Sequence, residues 1–459
     1  MSQEDQSRPW RGEFRATLAL ASPLVVANLL QMAVYAVDVI FVARLGEQSL
    51  AAASLAIAVF ASMMWGFQGL TGGCAPLIGA ELGCKSHAVR EVRRSVRMAL
   101  WHAVICGIVG VGICWLAEPL MRATGQDPVI SKMAGDFIML LALSIVPGVV
   151  ASVLRTFVAA LGRPVFATAV TGLAIGVNAV GNWLLVFGNW GVPQLGLAGS
   201  AYSTLLTSLS MVAAYVILIR SDRRLRRYRV FGRWWRPEWS RFRDIAKIGI
   251  PIALTLIAEG GLFNSAAFLM GRIGTTELAA HTIALQIAAI FFQVPFGIAQ
   301  AATIRVAFHF GARDTGGITR AGWTAILLCI VFQLIGASVM LFAPLWPISI
   351  YVNPGAAQNA AMVAVAVQLL VVGAAFQMFD GLQTVAAGVL RGLQDTRTPM
   401  IIAIGGYWLG GFTAAYWLGL RTPLGAAGVW VGLMIGVVLV SAMLLWRWRA
   451  RERLGLVTA

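Results

Sequence analysis

The chain has 459 residues, of which 59% are hydrophobic and 12% charged, with a mean hydropathy of +0.79. A water-soluble domain of this length has no interior large enough to hide so much apolar surface, so a soluble globular protein is excluded. The formal net charge of +16 would suit a nucleic-acid binder, but its distribution along the chain argues for membrane topology instead.

Apolar stretches long enough to cross roughly 30 Å of hydrocarbon recur from end to end. In chain order they cover about 16–43, 48–80, 94–117, 129–157, 164–187, 196–219, 244–271, 276–308, 319–343, 357–390, 399–419 and 424–446. These twelve runs lack the alternation of a barrel strand, so each is expected to be a helix, the longer ones tilted, bent or protruding. The polar opening "MSQEDQSRPWRGEF" has no cleavable-signal pattern, and the first span is expected to act as its own insertion signal. Cys74, Cys84, Cys106, Cys114 and Cys329 are scattered along apolar stretches without paired spacing, which excludes a disulfide framework or zinc site. His87, His102, His281 and His309 also lack metal spacing and receive no role.

With the N-terminus inside, 30 of the 35 Lys and Arg fall in cytoplasmic segments, Arg8, Lys85 and the Arg220–Lys247 stretch among them. Only Arg44, Arg122, Lys132, Arg272 and Arg421 fall outside. That bias predicts an even number of spans with both termini cytoplasmic, with anionic lipid head groups as partners of the basic surface and no nucleic acid. The segment from Arg220 to Lys247 divides six spans from six. It implies an N-terminal bundle over 1–219, a basic linker over 220–243 and a C-terminal bundle over 244–459. Trp234, Trp235 and Trp239 suit a linker lying at the lipid interface.

The two halves repeat. Shifted by 228 residues, Pro23 falls on Pro251, Arg44 on Arg272, Gly46 on Gly274, Leu50 on Leu278 and Gly83 on Gly311. Later in each half, "LRTFVAALGRP" from Leu154 resembles "LRGLQDTRTP" from Leu390. Six spans per half make these parallel repeats, an organisation of transporters whose substrate site lies between the repeats near the bilayer midplane.

Charge within a bilayer is costly, so acids inside spans are functional candidates. Glu259 lies twelve residues after Lys247 and thirteen before Arg272, about 18 Å from either edge. Asp380 lies eleven residues before Arg391, about 16 Å from the cytoplasmic end. Facing one another, these two acids could share a proton or neutralise a monovalent cation, Na+ included. Asp38 is the intramembrane acid of the first half. Asn178 and Asn182, four apart on one helix face, could complete a polar network with it or simply bond between helices. Gln31 occupies the repeat position of Glu259. Gln31, Phe263, Phe291, Phe292, Phe376, Met378 and Phe379 are candidate cavity liners, although for any one of the aromatics plain core packing is the better reading. No nucleotide or hydrolase motif is found, so the chain is not expected to be an enzyme, and uphill transport would draw on an ion gradient.

The paired "P…RLG…LAA" blocks, "LIAEGGLF" and "FDGLQTVAAGVLRGLQDTRTP" together resemble the multidrug and toxic compound extrusion family, NorM type, over almost the whole chain. The resemblance implies an all-α polytopic membrane protein, with twelve transmembrane helices in two pseudo-symmetric six-helix bundles arranged in a V around a central cavity. It implies a monomer that exports lipophilic organic cations (drugs and dyes) in exchange for H+ or Na+, without any other cofactor. By motif it assigns Glu259 and Asp380 to cation coupling, and Asp38 with Asn178 and Asn182 to proton or cation binding in the first bundle. Some sodium-coupled relatives carry a tyrosine where this chain has Phe376, which removes one oxygen ligand. The rival reading is a lipid-linked intermediate or oligosaccharide flippase of the same superfamily. Such a protein needs basic residues in its cavity, whereas the midplane charges here are acidic.

Overall fold

The computed structural model describes residues 9–84, 88–232 and 235–457. Arg8, Lys85, His87 and Trp234 lie outside them. The spans are helical, labelled here in chain order: α1 Trp10–Ala43, α2 Glu47–Cys84, α3 Ala88–Ala123, α4 Pro128–Ala142 with Ile145–Ala160, α5 Pro164–Leu185, α6 Leu197–Ser221, α7 Trp239–Ile273, α8 Thr275–Gly311, α9 Thr315–Phe342, α10 Ala357–Gly392, α11 Arg397–Leu420 and α12 Gly425–Arg449. Eleven qualify as spans singly among the described residues. The fourth is a pair of shorter helices meeting at 47°, so the count reaches twelve only when that pair is one bent crossing.

Local chemistry sets many of these boundaries. Asp127 caps α4, accepting from the backbone N–H of Val129 and Ile130 at 2.8 and 3.1 Å, with Pro128 in the first turn where a missing N–H is harmless. Pro164 opens α5 in the same way, and Asp314 caps α9 through the N–H of Gly317. Within α11, Gly405–Phe412 winds as a π-helix between two α-helical pieces.

The chain forms two compact units, and they do not divide in the linker. One comprises Val26–Ala253; the other joins the chain up to Val25 to Leu254 and beyond. The divisions therefore fall inside α1 and α7, each two residues after a proline of the repeat, Pro23 and Pro251. A proline within a helix removes a backbone hydrogen bond and disrupts its regular winding, so these are natural places for one helix to serve two packing environments. The sequence boundaries near 219 and 244 mark the charge change; tertiary packing divides elsewhere.

In the Val26–Ala253 unit, the start of α7 lies against α2 at backbone distance. A Cβ on Gly73 would sit 2.7 Å from the Ile245 carbonyl and 2.8 Å from the Gly249 nitrogen. In the second unit the start of α1 meets α8 equivalently: a Cβ on Gly297 would sit 2.9 Å from the Val25 nitrogen. Small residues permit such approaches between helices.

The basic linker is folded onto the first of these units. Asp222 caps a single turn, Arg223–Arg226, and pairs with Arg163. Leu225, Tyr228 and Val230 are buried, and Arg93 donates to the Tyr228 carbonyl at 2.6 Å. Trp235 and Trp239 remain exposed, as suits residues facing a lipid interface.

Candidate functional site: a buried acid network in each unit

In the Val26–Ala253 unit, Asp38 projects from α1 toward α5. Asn178 and Asn182 each donate a side-chain N–H to the same oxygen, Asp38 Oδ1, at 2.9 and 2.8 Å. The i,i+4 spacing on α5 makes this possible, because it stacks the two amides on one face. Asn182 Nδ2 also donates to the Asn178 carbonyl, and Ser203 Oγ of α6 donates to that same carbonyl at 3.0 Å. Gly181 lets α6 come this close, since a Cβ there would collide with the Ser203 side chain, 3.2 Å from its Cβ. Asp38, Asn178 and Asn182 are all buried. Gln31 lies one turn below Tyr35 on α1, with its amide beside the Tyr35 hydroxyl.

The second unit gathers Glu259 and Asp380, which the sequence leaves 121 residues apart. Asp380, 4% exposed on α10, interacts electrostatically with Glu259 of α7. Asp380 Oδ1 accepts from Gln383 Nε2 at 3.0 Å, and Thr384 Oγ1 donates to the Asp380 carbonyl at 2.9 Å. Arg391, half-buried toward the end of α10, adds its positive charge to the field around Glu259 and Tyr407. Tyr407 belongs to the π-helical stretch of α11, is 2% exposed, and places its hydroxyl beside Gln383. The neighbouring Trp408 rests on Gly261, two residues beyond Glu259.

The aromatic candidates separate into two groups. Phe263 meets Phe376 edge-on at 6.0 Å, and Phe376 meets Trp430 at 5.6 Å, joining α7, α10 and α12 beside the acids. Trp430 in turn donates to His281 Nδ1 at 3.1 Å. Phe291 instead packs on Gly336 of α9, and Phe292 stacks on Phe296 of its own helix. Phe379 is half-buried next to Asp380.

Sequence reasoning missed Gln333, Gln377, Gln383, Arg391, Tyr407 and Trp430. A glutamine inside a span reads as an ordinary interhelical hydrogen bonder, and Arg391 reads as a cytoplasmic topology signal. One signal was available: Gln377 and Gln383 flank Asp380 at three residues on either side, on one helix face. Both are buried. Both polar side-chain atoms of Gln377, and Oε1 of Gln383, have no hydrogen-bond partner among the described residues. An unsatisfied buried polar group costs about 1–3 kcal/mol.

Among the described residues, eleven helical spans, or twelve with the bent pair taken as one crossing, in two repeated halves with a buried carboxylate in each, define the architecture of a secondary transporter. Comparison with known proteins specifies the family. The MatE family profile matches residues 23–184 and 251–417, one match in each half, and the chain belongs to that family. It is 42% identical to a protein of Mesorhizobium japonicum named "Probable multidrug resistance protein NorM", over 97% of this chain and 96% of the relative. It is 38% identical to a protein of the same name from Rhizobium meliloti, over 100% and 97% of the two chains. Among solved structures, one described as "Outward-facing conformation of a multidrug resistance MATE family transporter of the MOP superfamily" shares the fold with a TM-score of 0.84 at 22% identity, covering 97% of either chain.

Proposed function

We propose that this protein exports lipophilic organic cations across a bacterial inner membrane in exchange for H+ or Na+. The observation that carries the reading is that the half-buried Glu259 lies within electrostatic reach of the buried Asp380 inside one unit. Two carboxylates in one desolvated pocket cannot both stay charged without a counter-cation, so the pair is suited to take up a proton or metal ion and release it again. Uptake of the coupling ion lowers the negative charge available to an organic cation held by carboxylate charge and aromatic faces such as Phe263 and Phe376. Binding of the two cations is then mutually exclusive, and an ion gradient drives substrate outward by alternating access. The naming of relatives as multidrug resistance proteins supports the substrate class.

The test is ethidium transport in proteoliposomes under an imposed proton gradient and, separately, an imposed sodium gradient. Wild-type protein moves ethidium under at least one of them, and Glu259→Gln and Asp380→Asn each reduce the rate at least tenfold. Full transport by both variants at normal expression overturns the coupling role. Wild-type protein inert under both gradients overturns the antiport reading and directs the next assay to lipid-linked substrates.

A further inference from the structure

Arg155 of α4 and Arg391 of α10 are equivalents in the repeat, each following the leucine that opens the shared motif, Leu154 and Leu390. Arg391 has a carboxylate to answer its charge, Glu259 of α7. The repeat position of Glu259 is the neutral Gln31. Among the described residues Arg155 makes no ion pair, and its Nη2 donates to the amide oxygen Oδ1 of Asn28 on α1. Asn28 stands one turn before Gln31, where the second half has Leu256. The acid of this unit, Asp38, is ten residues beyond Asn28, about 15 Å along α1, and accepts from Asn178 and Asn182. Arg155 is half-buried and keeps its charge at any physiological pH. Two further donors near it are unserved. Asn28 is 5% exposed, and its Nδ2 has no partner among the described residues. Tyr215 of α6 is fully buried within electrostatic reach of Arg155, and its Oη also has no partner there. Leucine and phenylalanine would fill these two positions without stranding a donor, so packing does not explain them. A water molecule could take up the amide and the hydroxyl, but it would leave the guanidinium without a counter-charge. A small anion answers both needs at once.

We propose that Arg155, Asn28 and Tyr215 form a binding site for a small inorganic anion, with chloride as the occupant. The donors are the guanidinium N–H groups, Asn28 Nδ2 and Tyr215 Oη. All three residues belong to the Val26–Ala253 unit, and the bound ion ties α1, just beyond its division, to α4 and α6. It brings from solution the negative charge that Glu259 gives Arg391 in the second unit.

Purified protein is heated in detergent in sodium chloride or sodium gluconate at equal ionic strength, so that only the anion differs. Wild type melts higher in chloride, because a ligand that binds only the folded state raises the melting temperature. Arg155→Met and Tyr215→Phe each weaken the apparent chloride affinity by roughly tenfold or more, the scale of one hydrogen bond to a charged group. Asn28→Asp puts a carboxylate beside the guanidinium. That variant melts in gluconate as high as wild type does in chloride and gains nothing from chloride. Where Arg155→Met elutes as aggregate, Asn28→Asp and Tyr215→Phe carry the test. Equal melting of wild type in the two salts overturns the proposal. So does chloride stabilisation that Asn28→Asp and Tyr215→Phe retain in full, which is a general salt effect. A last arm compares nanodiscs of phosphatidylglycerol and phosphatidylcholine. Stabilisation by phosphatidylglycerol that the variants lose, with no response to chloride, also overturns the proposal and assigns the donors to a lipid head group.

Discussion

Glu13 and Arg241 occupy the same position in the two halves, 228 residues apart, and make the same contact with opposite charge. Near the start of α1, Glu13 accepts from Arg305 Nε and Nη2 of α8 at 2.8 and 2.6 Å and lies 3.2 Å from His309 Nε2. Near the start of α7, Arg241 Nη2 pairs with Glu81 of α2 at 2.7 Å and Glu91 of α3 at 2.8 Å. His309 and Glu81 are themselves repeat equivalents. Each unit thus fastens the entering end of a shared helix with an ion cluster, and the halves have kept the contact while exchanging the signs.

Glu13 is 5% exposed, so removing its charge leaves the half-buried Arg305 guanidinium without its carboxylate partner. Glu13→Gln is expected to destabilise the second unit by about 2 kcal/mol, the scale of a charge-assisted hydrogen bond. Glu13→Arg costs more, and Arg305→Glu in the same molecule recovers part of the loss. Thermal unfolding in detergent measures all three; equal melting temperatures for the single and double variants would contradict the clamp.

Adjacent glycines on α2 are expected to behave oppositely. A Cβ on Gly72 meets nothing within 4 Å, so Gly72→Ala is neutral or stabilises the helix by up to about 1 kcal/mol. A Cβ on Gly73 presses on the backbone of Ile245 and Gly249, and Gly73→Ala destabilises by about 1–3 kcal/mol. Gly249 is tighter still, against the Leu70 carbonyl, and Gly249→Ala is the most damaging of the three. Expression level and melting temperature rank them.

Asn178 and Asn182 serve one carboxylate oxygen, so their losses should not add. Asn178→Ala and Asn182→Ala each cost about 1–3 kcal/mol as a buried charge loses a donor. The double variant departs from the sum by about 0.5–3 kcal/mol. A double-mutant cycle on thermal stability reads the coupling, and strict additivity would mean that the two amides act independently of one another.

Both termini are expected on the cytoplasmic side. Arg447 pairs with Asp395 at 2.6 Å and Arg449 lies over the Trp323 ring, so the basic C-terminal end is held by neighbouring loops and helix ends. A green fluorescent protein fused at the C-terminus should fluoresce, and an alkaline phosphatase fused there should be inactive. The opposite pair of results would invert the topology.

Much of this protein was written in its linear pattern. Twenty-residue apolar runs can only be helices once water is absent, because each backbone N–H needs a partner within its own segment. The 228-residue register, the side bias of Lys and Arg, and the burial of Asp38, Glu259 and Asp380 within spans are properties of order along the chain. The tertiary structure decided what order cannot express. It divided α1 and α7 between units, because which surface each part of a helix meets depends on distant helices and not on its own hydropathy. It bent the fourth span into two pieces near Ser144 and wound Gly405–Phe412 as a π-helix. It also set Gln377, Gln383 and Tyr407 around Asp380. A buried glutamine with every bond satisfied and one with none have the same one-letter code; only the positions of its neighbours distinguish them.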